Sequence, residues 1–165
     1  MIRSRLRIAW VAAGVAAMGS QTQAGPLDDA EAAYRRGEVG TAIEIAKREA
    51  EQSDPQAQVM LAFYLYTKIP PDPVQAMAWW RRAAEQGHSE AQFMLATQYF
   101  YGVATPADFG RAYTWALIAA RSERISESAR NELLKLTAEI RSKLSPDQIK
   151  AAQEAAFAFH PKPER

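Results

Sequence analysis

Cysteine is absent from the 165 residues. That gap removes a disulfide framework, a thiolate metal site, a cysteine nucleophile and a lipid-modified N-terminal cysteine. Histidine is scarce: His88 and His160 are the only two, which leaves little for a metal site or a catalytic triad. Neither sign of charge is in large excess. A formal net charge of +1 argues against a protein that holds nucleic acid or another polyanion through bulk charge. No Gly-rich phosphate loop follows a strand, since no stretch reads convincingly as a strand. A long hydrophobic run is missing too: Ile8–Gly19 is an apolar run of 12 residues, against about 20 for a helix that crosses a bilayer. No cofactor and no metal are expected.

That short run has a different reading. Arg3, Arg5 and Arg7 precede it, and Thr22-Gln23-Ala24 follows with small residues at the −3 and −1 positions. The pattern predicts an export signal, residues 1–24, cut after Ala24, with an uncleaved anchor as the alternative. Cleavage would remove three Arg and no acid, leaving 17 basic and 19 acidic side chains, a net charge of about −2. The expected location is the periplasm or the exterior, with no membrane span after cleavage.

What is present in abundance is self-similarity. Ala57, Gln58, Met60, Leu61 and Ala62 are matched 34 residues later by Ala91, Gln92, Met94, Leu95 and Ala96. Beyond a Pro-containing loop the offset becomes 36, pairing Asp72 with Asp108, Ala76 with Ala112, Trp79 with Trp115, and Ala83-Ala84 with Ala119-Ala120. A slip of two residues confined to a loop is what an insertion between two helices produces. Repetition at this period predicts stacked helix pairs.

In chain order, Asp28–Arg36 and Thr41–Glu51 read as a degenerate first pair, with Gly37 and Gly40 bracketing the turn. Ser53 or Asp54 is expected to cap the next helix, Pro55–Lys68, with Pro55 in its first turn and Gln56 closing a capping box. Pro70, Pro71 and Pro73 break that helix. Pro73–Gln86 follows, is expected to bury Ala76, Trp79, Ala83 and Trp80, and ends at Gly87. Ser89 is expected to cap Glu90–Tyr101, and Pro106 with Asp108 to open Ala107–Arg121. Ser126–Leu144 carries Ile125, Ala129, Leu133, Leu136, Ile140 and Leu144 at helical spacing. Ser145-Pro146-Asp147-Gln148 is a second capping box, leading into Gln148–Phe159. Residues 161–165 read as a flexible tail.

Ala76, Trp79, Ala83, Ala84, Gly87, Ala91, Gln92, Leu95, Tyr99 and Gly102 occupy the places of a Sel1-like repeat, a relative of the tetratricopeptide unit. Ala96 stands where that family commonly has Gly, and Leu65 where it has Tyr. The match is specific over Ala57–Ala120 and weaker over Glu31–Gln56, and the closing LSPDQIKAAQEAA segment resembles the C-terminal caps of small exported members. The resemblance implies an all-α fold: a right-handed α-α solenoid of about four antiparallel helix pairs. It divides 25–160 into a degenerate unit 28–52, repeats at about 55–87 and 89–121, and a C-terminal cap 125–159. The structural core is expected at Ala57, Leu61, Ala76, Trp79, Ala83, Ala84, Gly87, Ala91, Leu95, Tyr99, Ala112 and Trp115. Trp79 and Trp115 are expected to be buried anchors. Small residues let paired helices approach to about 8–10 Å.

Catalysis finds little support. Glu85, Glu90, Asp72 and Asp108 are spaced as helix-end and loop acids, and His88 sits in a turn. Arg81-Arg82 with Lys47-Arg48 reads as a solvated basic face. Some cysteine-rich Sel1 relatives are linked to β-lactam hydrolysis, but their cysteines are absent here, so that activity is not carried over. Val59, Phe63 and Tyr66, then Phe93, Thr97 and Phe100, form two stripes at i, i+4, i+7. By resemblance to tetratricopeptide stacks these stripes line a concave groove that binds a peptide or a partner protein. The alternative is that the C-terminal helices cover them. The expected function is a non-enzymatic interaction scaffold of the bacterial envelope. A regulatory or accessory subunit of an envelope enzyme, acting on cell wall or polysaccharide, is the alternative.

Overall fold

Six of the eight described helices begin where a side chain or a proline serves the first turn; those opening at Val39 and Ser89 start without either. The computed structural model describes residues 25–162, and the expected export signal lies outside them. Eight helices follow one another with no strand among the described residues: α1 Pro26–Arg35, α2 Val39–Glu51, α3 Pro55–Thr67, α4 Pro73–Glu85, α5 Ser89–Tyr101, α6 Phe109–Ala120, α7 Glu127–Arg141 and α8 Pro146–Ala158. Asp54 accepts from the amides of Gln56 and Ala57, Asp72 from Gln75, Asp108 from Arg111 and Ser126 from Ala129. Ser145 and Gln148 form the expected reciprocal capping box.

Several expected ends move. Ser89 lies inside α5, whose N-cap is His88 without a side-chain cap. Gln56 closes no capping box with Asp54, and Gly40 lies within α2. Residues 107 and 108 precede α6, because Asp108 is its cap and Gly102 turns left-handed before it (φ +65°).

Consecutive helices pack on one another from α1 to α6, which is the stacking of a helical solenoid. The repeat explains which backbone groups meet. Gln58 donates to the Ala50 carbonyl at 3.4 Å, and Gln92 donates to the Ala84 carbonyl at 3.1 Å. In each case a buried amide adds a second hydrogen bond to a carbonyl at the end of the preceding helix, which also accepts from the backbone N–H of Ser53 or Gly87. Likewise Asp72 N–H donates to Leu65 O, and Asp108 N–H to Tyr99 O, both at 2.9 Å.

Alanines let the helices close on each other. Ala57, Ala76, Ala83, Ala84, Ala91 and Ala112 are completely buried, with Leu61, Leu95 and Tyr99 beside them. Trp79 and Trp115 are only half-buried, which corrects the expectation of two buried anchors. The buried stripe of α4 is Ala76, Met77, Trp80, Ala83 and Ala84. Trp80 lies at its centre with 1% of its surface exposed. Neighbouring residues project about 100° apart on a helix, so Trp79 falls at the edge of that stripe. There the guanidinium of Arg82 lies 4.5 Å from the Trp79 ring centre and shields it.

The last two helices do not repeat the hairpin geometry. Both α7 and α8 pack on α6, and they touch each other at most weakly. Arg130 donates to the carbonyls of Ala120 and Ser122, tying α7 to the end of α6. Arg121 donates to the Ala156 carbonyl at 2.9 Å and does the same for α8.

Candidate partner-binding surface

The two aromatic stripes on α3 and α5 are largely closed. Val59 and Phe100 are buried, at 2% and 7% exposure. Phe63, Tyr66, Phe93 and Thr97 are half-buried. The neighbours of α3 account for its part of this. Tyr34 from α1 stacks on Tyr64 at 4.6 Å and meets Phe63 edge-on at 5.5 Å, while Tyr66 lies against Trp80. On α5, Phe100 is covered by Phe109, and the Lys143 ammonium lies 5.9 Å from its ring. An interior helix packed from both sides keeps little surface for a ligand, so Val59 and Phe100 are not part of an open groove.

His88 does not build a catalytic site. Its Nε2 lies 3.0 Å from the amide oxygen of Gln56, and its buried Nδ1 has no partner. Burial, with help from Arg124, holds its pKa below the usual histidine value, and Asp54 opposes. Neighbouring Glu90 is pushed upward by burial alone. No hydroxyl or carboxylate is bonded to the imidazole, so a Ser–His or acid–His relay has no geometry here. Among the described residues, no three His, Asp or Glu side chains are grouped to hold a metal.

An opening of about 480 Å³ lies elsewhere, between α4 and α6. Arg81 and Glu85 form the α4 wall, and Arg111, Thr114, Trp115 and Ile118 the α6 wall. Tyr99 of α5 forms the floor, and Phe159 with the last turn of α8 closes one side. The repeat places these groups. Tyr99 holds the repeat's tyrosine position, and Trp115, at the edge of its own helix's buried stripe, is turned into the cleft.

Arg81 donates to the Tyr99 hydroxyl at 3.2 Å, and the Arg111 guanidinium stands 5.7 Å over the Tyr99 ring. Arg111 also lies 3.4 Å from the Asp108 carboxylate. Arg81 has no carboxylate within ion-pair distance among the described residues. With Glu85 beside Arg81 and Arg111, both signs of charge reach the opening. It suits a polar, partly aromatic peptide surface better than a bare anion.

Reading residues in order found Tyr99 and Trp115 as core, and Arg81 as an outer basic face. It missed the cleft. The signal available was the 36-residue offset, which sets Arg111 and Trp115 one unit beyond Gln75 and Trp79. Nothing in the sequence signalled that Phe159 would return to Trp115.

Comparison with known proteins matches this architecture. The Sel1 repeat model matches residues 55–88 and 89–123. An uncharacterized protein of Neisseria meningitidis serogroup B is 36% identical over 80 residues, covering 48% of this chain and 17% of that protein. An uncharacterized Sel1-like repeat-containing protein of Schizosaccharomyces pombe is 42% identical over 50 residues, covering 30% of this chain and 8% of that one. The chain thus spans less than a fifth of the length of these relatives. The crystal structure of a protective antigen present in uropathogenic Escherichia coli, displaying an SLR fold, superposes with a TM-score of 0.69. It is 23% identical, covering 81% of this chain and 29% of that chain, and the likeness is one of fold. Sel1 repeats generally act as non-enzymatic scaffolds for protein–protein interaction. This chain thus carries two tandem Sel1 repeats set in a helical solenoid.

Proposed function

We propose that this chain is a protein-interaction module of the bacterial cell envelope, exported by residues 1–24, and that it holds a segment of a partner protein in the cleft between α4 and α6. The observation that carries the reading is the composition of that cleft. Both repeats and α8 contribute to it, and it brings Arg81 and Arg111 together with Tyr99, Trp115 and Phe159. Arginine and aromatic side chains dominate interface energetics, because they combine large contact area with directed hydrogen bonds. A volume of about 480 Å³ accommodates a few side chains. No helix among the described residues is long and apolar enough to cross a membrane.

Site-specific photo-cross-linking in intact cells tests the binding reading. A cross-linker at Thr114, inside the cleft, is compared with one at Ala78, the exposed residue at the equivalent position of α4. A discrete adduct at Thr114 alone, lost in Arg111→Glu at an unchanged melting temperature, supports the cleft. Equal labelling at both positions sinks it. An adduct with an envelope enzyme would make the chain that enzyme's accessory subunit. For export, intact mass of the protein recovered from the periplasm reads the cut: a chain starting at Gly25 is expected, and one retaining Met1 in the cytoplasm overturns the assignment.

A further inference from the structure

The chain leaves α8 in an extended conformation at Phe159 (φ −71°, ψ 126°), and then runs from α6 to the end of α4. The Phe159 ring stands edge-on against Trp115, centres 5.5 Å apart. Three residues later, the Lys162 N–H donates to the Glu85 carbonyl at 2.9 Å, at the C-terminal end of α4. Pro161 lies over Gly87 so closely that a Cβ on Gly87 would come within 3.1 Å of its ring carbons. Residues 161 and 162, expected as part of a loose tail, are therefore held.

These contacts are of the kind that hold an extended peptide. An aromatic ring sits in an aromatic notch, a proline lies on a turn that has no side chain, and a main-chain N–H meets an orphan helix-end carbonyl. They give the segment little burial of its own: Phe159 is half-buried, and His160, Pro161 and Lys162 are exposed. A segment seated by specific contacts yet shallowly buried is one that a competitor of the same chemistry can replace.

We propose that the cleft between α4 and α6 takes an extended aromatic–X–Pro segment of a partner protein, and that Phe159–Lys162 occupies one end of it in cis until such a segment displaces it. This rests on reading the cleft as the partner site. A tether of a few residues holds the cis segment at an effective concentration of about millimolar, so an incoming segment competes against that level.

The test uses the full chain, ¹⁵N-labelled, and a synthetic peptide with the sequence of residues 158–165 as the probe. The Trp115 indole resonance reports occupancy. The parent is compared with a double variant, Phe159→Ser with Pro161→Ser, and with Lys162→Pro, which removes the main-chain donor, with Lys162→Ala as the control for the lost side chain. The expected result is that the peptide shifts the Trp115 resonance of the double variant with about tenfold tighter apparent affinity than the parent, and Lys162→Pro falls between them. Equal affinity for parent and variants overturns cis occupancy. A folded variant that shows no shift at millimolar peptide overturns the groove's preference. Should the double variant fail to fold, Lys162→Pro alone carries both outcomes. The titration needs no cellular partner and the Thr114 cross-link needs no Phe-X-Pro peptide, so either can fail while the other stands.

Discussion

The two central repeats, α3–α4 and α5–α6, do the same backbone work with different side chains. In both, a buried glutamine donates to a carbonyl at the end of the preceding helix, and an aspartate after the loop bonds back to the first helix and caps the second. The bulk is placed differently. The first unit fills its centre from α4, with Trp80 against Tyr66. The second has Ala116 at that position and brings Phe100 against Phe109 instead. The loops differ too. The first turns at Lys68 with φ −59°, and the second at Gly102 with φ +65°. Hydrogen-bonded positions tolerate little change because a buried polar side chain left without a partner costs about 1–3 kcal/mol. The packing positions are looser, since either helix can supply the volume.

That asymmetry predicts where the units differ under mutation. Trp80→Ala should have the largest effect, lowering stability by about 3–5 kcal/mol. Trp115→Ala should cost less than roughly half as much, because its ring is half open to the cleft. Chemical denaturation of both variants checks the order, and equal losses would mean that Trp115 is an anchor after all.

Gly102→Ala should cost about 2–3 kcal/mol, from the left-handed backbone and a forced contact. The new Cβ would sit 2.7 Å from the Ala107 backbone nitrogen. Lys68→Ala, at the matching position, should change stability by under about 0.5 kcal/mol. Denaturation midpoints of the pair would separate the two loops.

Ser53 occupies the place that Gly87 holds one unit later, and it too has positive φ, +68°. Ser53→Gly should therefore raise stability by about 0.5–1 kcal/mol, the left-handed penalty less the entropy of a freer unfolded chain. An unchanged or lower melting temperature would mean that the Ser53 side chain contributes more than its backbone costs.

The smallest expected effect depends on pH. His88 has its folded pKa depressed by burial. The unfolded chain therefore takes up its proton first as pH falls through the ordinary value near 6.5, and stability is lost from there downward. Glu90, raised by burial, acts the other way, gaining stability as pH falls toward its unfolded value. His88→Gln should flatten the loss between about pH 6.5 and 5, which melting curves across that range would show. A parallel shift of parent and variant would remove His88 from the account.

The repeat was legible because its markers are one-residue decisions. Pro70, Pro71 and Pro73 can continue no helix, Gly87 and Gly102 take backbone angles that other residues resist, and alanines at fixed spacing leave room for a neighbour. The 34- and 36-residue offsets therefore located the helices to within one or two residues over most of their ends. Both adjacent tryptophans read as buried, and which of them holds the centre was not legible. Trp79 repeats at Trp115 while Trp80 does not, so repetition pointed to the edge of the stripe. Repetition marks what both units share, and the centre of α4 is where they differ.

The sequence by itself determined that this chain is a run of helices, stacked in pairs, with glutamine, glycine and aspartate at the joints. Those choices rest on backbone angles and local hydrogen bonds, which a few neighbouring residues decide. Tertiary structure alone decided that α7 and α8 both lie on α6, that α3 and α5 are enclosed, and that Phe159 reaches Trp115 across 44 residues of chain. The reason is physical. A contact between distant segments depends on the angle at which each helix meets the next, and that angle is the summed shape of many side chains rather than the identity of any one.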